Sequence, residues 1–190
     1  MLERVFTEHY AAIESVRQQW HVVLRIADAL CECIGTEGTI YLCGNGGSAA
    51  DCQHLAAELV GRYVVERPGF RAVSLTTDSS ILTAIGNDYG FEQVFSRQVE
   101  ALVQATDVLV CISTSGNSAN VVNAARQANA IGATVVALTG KGPNKLTKLA
   151  HHALQIESKV TARVQEAHIL AAHLICELID LEHTGENNLD

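Results

Sequence analysis

Short apolar runs alternate with stretches of helical periodicity along most of this chain. Five segments carry β-type patterning: 39–43, 70–76, 107–112, 133–138 and a weaker 153–156. Four of the five are near-continuous apolar runs, as in Val108-Leu109-Val110-Cys111-Ile112, the pattern of strands covered on both faces. Helical spacing fills the intervals near 48–62, 79–85, 91–104, 118–131 and 144–150, and a long helix is predicted over 161–182. Ahead of the first strand, Val5, Ala12, Ile13, Val16, Trp20, Val23, Leu24, Ala27 and Leu30 recur at helical spacing, so residues 1–34 predict one or two more helices. The alternation predicts an α/β fold, doubly wound, with a mainly parallel five-stranded sheet flanked by helices. Right-handed crossovers in such a fold carry several strand ends to one edge, where ligands bind.

Two glycine-punctuated loops stand at that edge, Gly44-Asn45-Gly46-Gly47-Ser48 after the first strand and Ser113-Thr114-Ser115-Gly116-Asn117-Ser118 after the third. Each opens a helix. A helix N-terminus presents unpaired N–H groups and the positive end of its dipole, so both loops suit an anion, with hydroxyls of Ser48, Ser113, Thr114, Ser115 and Ser118 as further donors. Neither loop matches G-x-x-x-x-G-K-[ST], and no G-x-G-x-x-G opens a helix where a dinucleotide would need it. Sugar phosphate is the simpler ligand.

The chain has 190 residues, which fits one domain over 1–190, with 1–34 as an N-terminal helical segment and 184–190 polar enough for a flexible tail. Net charge is −8, which disfavours nucleic acid or an anionic membrane as the main partner but does not prevent local binding of a small phosphate by amides and hydroxyls. No apolar run approaches the ~18 residues of a membrane span, and Met1-Leu2-Glu3-Arg4 lacks a signal-peptide pattern, so the expectation is a soluble cytoplasmic protein. The six cysteines, Cys31, Cys33, Cys43, Cys52, Cys111 and Cys176, show no C-x-x-C spacing and read as buried thiols of a reducing compartment. The first and last helices carry more apolar residues than one flank of the sheet needs, which predicts that they pack against other subunits of a homo-oligomer.

His54 and Glu58 are four apart in the helix after the first loop, so they share a face near the anion site, as an acid/base pair or as an ordinary surface pair. In the last helix Gln165, Glu166, His168 and His173 interrupt a run that is otherwise apolar, and a buried polar group there needs a partner. His173 by itself reads equally as a hydrogen-bonded core histidine. Gln165 and His173 lie about 12 Å apart along a helix, so they reach one ligand only with extended side chains or from different subunits. That places the active site near a subunit boundary. Asn87-Asp88, before Tyr89-Gly90, reads as a turn that aims two short polar side chains at the same edge, or as turn chemistry alone.

Several strings resemble the sugar isomerase (SIS) domain and, within it, the bacterial phosphoheptose isomerases. They are Cys43-Gly44-Asn45-Gly46-Gly47-Ser48, Gln53-His54 with Glu58, Gly86-Asn87-Asp88-Tyr89-Gly90-Phe91, Ile112-Ser113-Thr114-Ser115-Gly116-Asn117-Ser118-Ala119-Asn120, Ala137-Leu138-Thr139-Gly140, and Arg163-Val164-Gln165-Glu166 with His168 and His173. The resemblance implies that Ser113, Thr114, Ser115 and Ser118 hold the phosphate. It implies that Asn45, Gly46, Gly47, Asn87 and Asp88 hold the sugar, with Ser48, Glu58 and Gln165 also contacting substrate. Glu58 and His173 match the acid/base residues, and His54, Glu58, Gln165 and His173 match a zinc site found in some members. The implied enzyme is a cytoplasmic homotetramer that converts sedoheptulose 7-phosphate to D-glycero-D-manno-heptose 7-phosphate through an enediolate, feeding ADP-heptose and lipopolysaccharide synthesis. Ala162 departs from members with aspartate there, and Gly142-Pro143-Asn144 replaces a glycine pair. The alternative is a non-catalytic SIS tetramer resembling proteins that associate with the replication initiator. Those scaffolds generally lack the glutamate and histidine that stand here at positions 58 and 173.

Overall fold

The computed structural model describes residues 2–185. Helices α1 (Leu2–Gln18) and α2 (Trp20–Gly35) precede β1 (Ile40–Gly44) and α3 (Gly47–Val60). Then come β2 (Ala72–Ser74), α4 (Ser79–Tyr89), a 3-10 turn over Phe91–Gln93, α5 (Ser96–Leu102), β3 (Val108–Ser113) and α6 (Ala119–Ile131). The chain continues through β4 (Thr134–Gly140), β5 (His152–Ile156) and α7 (Thr161–Thr184). The five strands pair in the order β2-β1-β3-β4-β5, every pairing parallel, so the predicted α/β architecture is the observed one. From β1 the chain steps to one side for β2 and to the other for β3. Such a reversal opens a crevice beyond the carboxyl ends of β1 and β3, the usual ligand position in open parallel sheets.

Side chains alternate between two cores, one on each face of the sheet. Val108, Val110 and Ile112 of β3 join the core beneath α1, α2, α3 and α7, while Leu109 and Cys111 join the core beneath α5 and α6. All residues of β1 and β3 are buried, which is why these strands read as unbroken apolar runs. The six cysteines are unbonded, five of them buried.

Several predicted elements change. Residues 144–150 form turns rather than a helix. A segment this short does not nucleate a helix unaided, and its groups are committed elsewhere: Leu146 donates its N–H to Gly116 at 3.0 Å, and Asn144 Oδ1 accepts from the Thr147 N–H at 2.9 Å. The predicted 91–104 helix divides into the 3-10 turn and α5, where Ser96 Oγ bonds Gln93 Oε1 at 2.7 Å instead of leaving the backbone ladder undisturbed. The second strand contracts to three residues, Ala72–Ser74, paired with β1. Helix α4 runs four residues past its predicted end, capped by Asp78, whose Oδ1 accepts from Ile81 N–H at 2.9 Å, and closed by Gly90. Asn87 and Asp88 are therefore helical, not a turn. Of the expected tail over 184–190, Thr184 is the last residue of α7, and residues 186–190 lie outside the described residues.

His168 is a core residue. It is fully buried, its Nε2 stands 3.2 Å from the Thr139 carbonyl it donates to, and Nδ1 has no partner. Burial pushes its pKa down from 6.5 to about 4, against the upward pull of the Thr139 hydrogen bond. An unfolded chain binds the proton first as pH falls, so this histidine's stability contribution is complete above about 6.5 and is lost on the way to about 4. Urea unfolding across that interval should show a loss of about 3 kcal/mol, and His168→Leu should flatten the slope by most of that amount.

Candidate active site at the carboxyl edge of the sheet

Parallel pairing of Gly44 with Ile112 places the loop after β1 directly beside the loop after β3. Gly46 is the N-cap of α3 and takes φ +58 with ψ −122, a conformation closed to residues with a Cβ. Gly44 permits the close approach of two backbones: a Cβ there would meet the carbonyl oxygens of Ser48 at 2.8 Å and Ile112 at 2.9 Å. Asn45 and Asn120 clasp the two loops together, exchanging amide hydrogen bonds of 2.9 and 2.8 Å. In the serine loop Ser113 Oγ and Ser118 Oγ stand 3.1 Å apart, Thr114 is half-buried and Ser115 is exposed. Neither Gly46 nor Ser118, the N-cap residues of α3 and α6, makes a side-chain cap, though Asn120 Oδ1 accepts from the Val121 N–H at 3.0 Å, and the two helix N-termini open on the same crevice.

Helices α3 and α7 each run back from the carboxyl edge along the same face of the sheet, and they pack side by side. Their matching ends meet. Gln165, in the first turns of α7, lies against Gly47, where a Cβ would sit 2.4 Å from Gln165 Nε2. About two turns further along both helices, His54 Nε2 stands 3.0 Å from His173 Nε2 and 3.2 Å from Glu58 Oε1. The Tyr63 ring stacks on His173 with centroids 5.6 Å apart. Thus His54, Glu58 and His173, far apart in the chain, form one cluster within one protomer, whereas Gln165 stands at the glycine-loop end of the same groove.

Facing Nε2 atoms at 3.0 Å suit either an Nε2–H···Nε2 hydrogen bond between opposite tautomers or a cation held by both rings. Ligand atoms of His54, Glu58 and His173 all lie within 4.8 Å of one another, and two imidazole nitrogens with a carboxylate oxygen are a donor set that suits a divalent transition metal. Neighbouring ligands of a tetrahedral ion bound at about 2.1 Å stand about 3.4 Å apart, close to the separations present here. The residues fit a metal.

Asn87 and Asp88 sit in the last turn of α4, exposed, with Asn87 Nδ2 donating to Asp88 Oδ1 at 2.7 Å. No residue of α4 is buried, so within one protomer this pair is presented outward.

A family model of the SIS domain matches residues 6–140. Phosphoheptose isomerase 1 of Campylobacter jejuni is 48% identical over 180 residues, covering 95% of this chain and 97% of the relative. The phosphoheptose isomerase GmhA of Neisseria gonorrhoeae is similar in structure with a TM-score of 0.81 at 45% identity, over 95% of this chain and 99% of that one. The phosphoheptose isomerase of Francisella tularensis gives 0.86 at 33% identity, over 94% and 97%. The chain belongs to the phosphoheptose isomerases of the SIS-domain family.

Around the crevice and the His54–Glu58–His173 cluster stand residues to which the sequence patterns gave no role. Asp51 precedes His54 by one turn; its Oδ2 is buried without a partner, and burial pushes the carboxyl pKa up against the pull of His54. Asn144 packs on Gly116, where a Cβ would meet its side chain at 2.2 Å, and so supports the serine loop from the Gly142-Pro143-Asn144 segment. Asn120 and Tyr63 complete the set, one locking the loops and the other covering His173. A lone asparagine on the buried face of α6 was the legible sign of the first; nothing local marks Tyr63.

Gly44→Ala should destabilise the fold by about 1–3 kcal/mol, because the added methyl meets backbone on both sides. Gly47→Ala should cost less, since the obstructing atoms end a flexible glutamine. Urea midpoints of the two variants check the ranking.

Proposed function

We propose that this chain is an aldose–ketose isomerase acting on sedoheptulose 7-phosphate to give D-glycero-D-manno-heptose 7-phosphate, the first step toward ADP-heptose and lipopolysaccharide core. The observation that carries the reading is the meeting of Glu58 and His173 beside two helix N-termini. The named relatives support the same substrate class.

The reaction moves a proton between adjacent carbons of an open-chain sugar. In this reading Ser113, Thr114, Ser115 and Ser118, with the N–H groups of α6, moor the phosphate, and Asn45, Gly46, Gly47, Ser48 and Gln165 hold the sugar. Asn87 and Asp88 complete the site, supplied across a subunit boundary. Mooring the phosphate spends remote binding energy on orientation at the reacting carbons. Glu58 turns Oε1 toward His54, leaving Oε2 to take the proton from carbon 1 and return it at carbon 2. His173 moves protons among the ring and hydroxyl oxygens. His54, Glu58 and His173 would hold zinc, with Gln165 as fourth donor only if it is supplied from a neighbouring subunit, since within one protomer it lies against Gly47. When bound, zinc polarises the carbonyl and stabilises developing negative charge on the enediolate oxygens.

We read the chain as a single SIS domain working as a cytoplasmic homotetramer. Phe6, Tyr10 and Trp20 on the first helices, and Ile81, Tyr89 and Phe91 on and after α4, are large exposed apolar side chains that a partner would cover. An apolar groove of about 390 Å³ between α1, α2 and α7, lined by Ile13, Trp20, Leu170 and Leu174, supports the same assembly. No helix among the described residues is long and apolar enough to cross a membrane. Unbonded thiols fit a reducing compartment.

Incubation with sedoheptulose 7-phosphate and direct detection of the aldose tests the activity. Absence of product from folded, metal-loaded protein across several ketose phosphates would transfer the reading to the non-catalytic tetramer. Glu58→Gln should lower kcat by at least ~10²-fold with substrate binding and folding nearly intact. Verified removal of metal by a chelator should abolish turnover, and added zinc should restore it; full activity in the stripped protein would eliminate a catalytic zinc. Light scattering should give a native mass four times that of the chain.

A further inference from the structure

Arg67 and Asp180 are charged yet shut away from water, with side chains 0% and 3% exposed. A buried charge persists only where it is paired and fully hydrogen-bonded, and this pair meets both conditions. Arg67 Nε donates to Asp180 Oδ1 at 2.6 Å, Nη2 to the backbone carbonyl of Glu58 at 3.0 Å, and Nη1 to the carbonyls of Leu59 at 3.1 Å and Pro68 at 3.2 Å. The guanidinium lies 4.1 Å over the Phe70 ring. The other Asp180 oxygen accepts the N–H groups of Val64 and Val65, both at 3.1 Å. Burial pulls the Asp180 carboxyl upward, but the hydrogen bonds from Arg67, Val65 and Val64 prevail and hold it below its ordinary value, so it is ionised.

These contacts join the two helices that carry the His54–Glu58–His173 cluster. Gly61 after α3 has φ −81 and does not make the left-handed closure common at helix ends, so the Arg67 fork satisfies last-turn carbonyls of α3 instead, including that of Glu58 itself. Asp180 lies two turns beyond His173 on α7. The strap between them, residues 61–67, also carries Tyr63, which stacks on His173.

We propose that Arg67 and Asp180 are positioning residues whose buried pair fixes the separation and axial register of α3 and α7, and thereby the approach of His54 and Glu58 to His173. The proposal rests on the reading of that cluster as the acid/base centre. Neither residue touches the phosphate loops, so their removal acts on the reacting end of the crevice and not on the mooring end.

The test compares wild type with Arg67→Lys and with the double replacement Arg67→Met plus Asp180→Leu, which removes both charges while keeping apolar bulk. Kinetics with sedoheptulose 7-phosphate, Co(II) affinity by competition with a chromophoric chelator, and the imidazole NMR signals of His54 and His173 are read on each folded protein. The double variant should lose at least about tenfold in kcat with KM within about threefold, and bind Co(II) at least about tenfold more weakly. Its imidazole signals should move. Arg67→Lys keeps the charge but loses the fork, and should show a several-fold loss in the same direction, which decides the matter if the double variant does not fold. A folded variant with wild-type kcat and unmoved imidazole signals, or with a loss confined to KM, overturns the proposal. If wild type itself fails to isomerise the sugar phosphate, the functional reading falls, and the imidazole signals alone then judge the positioning role: movement upholds it and constancy rejects it.

Discussion

Parallel pairing of β1 with β3 is the constraint on which the crevice depends. Once Gly44 stands opposite Ile112, the chain must leave both strands at the same edge, and the two following helices must start there. Their N-termini add partial positive charge at one place. A chain of net charge −8 can then attract a small anion without a lysine at the site, because the relevant field is local and the distant carboxylates are screened. The Asn45–Asn120 clasp matters for the same reason: it keeps two loops of small residues from drifting apart.

A second consequence of the winding is that α3 and α7 run the same way on one face. Matching depth along two parallel helices brings His54 to His173 across 119 residues of sequence, and brings Gln165 to Gly47 near the helix starts. The candidate site thus has chemically different ends. Hydroxyls and backbone N–H groups gather at the helix starts, and imidazoles and a carboxylate about two turns further along α3 and α7, where His54 is exposed. This division suits a phosphorylated substrate, held at one end and worked on at the other.

Charged pairs in this fold differ sharply in what they do. Arg17–Glu14 and Arg97–Glu100 lie on exposed helix faces, where solvent and salt leave such pairs little influence. Arg67–Asp180 is enclosed, and breaking it from one side strands a charge in the core. Its contacts end on backbone, which is what allows a single pair to fix the placement of whole helices rather than of one side chain. His168, by contrast, is a buried polar group of α7 that answers to the sheet through Thr139 and remains neutral.

The strands were legible in the chain because a buried parallel strand must be apolar on both faces, and Leu109-Val110-Cys111-Ile112 admits few other readings. The two loops were legible because glycine and serine between a strand and a helix have a restricted structural use. The helical extent of Asn87-Asp88 and the turns at 144–150 were not, since the former depends on where Gly90, at φ +92, closes α4 and the latter on hydrogen bonds to Gly116 and within the Asn144 turn. Sequence by itself determined the alternation of elements, the two loops that open α3 and α6 and the chemical identity of the clustered residues. Tertiary structure alone decided that His54, Glu58 and His173 meet, that Gln165 stands apart from them along the groove, and that Arg67 finds Asp180. Local periodicity fixes which face of a helix a residue occupies, whereas the depth at which two helices lie against each other is set only when both are packed on the same sheet.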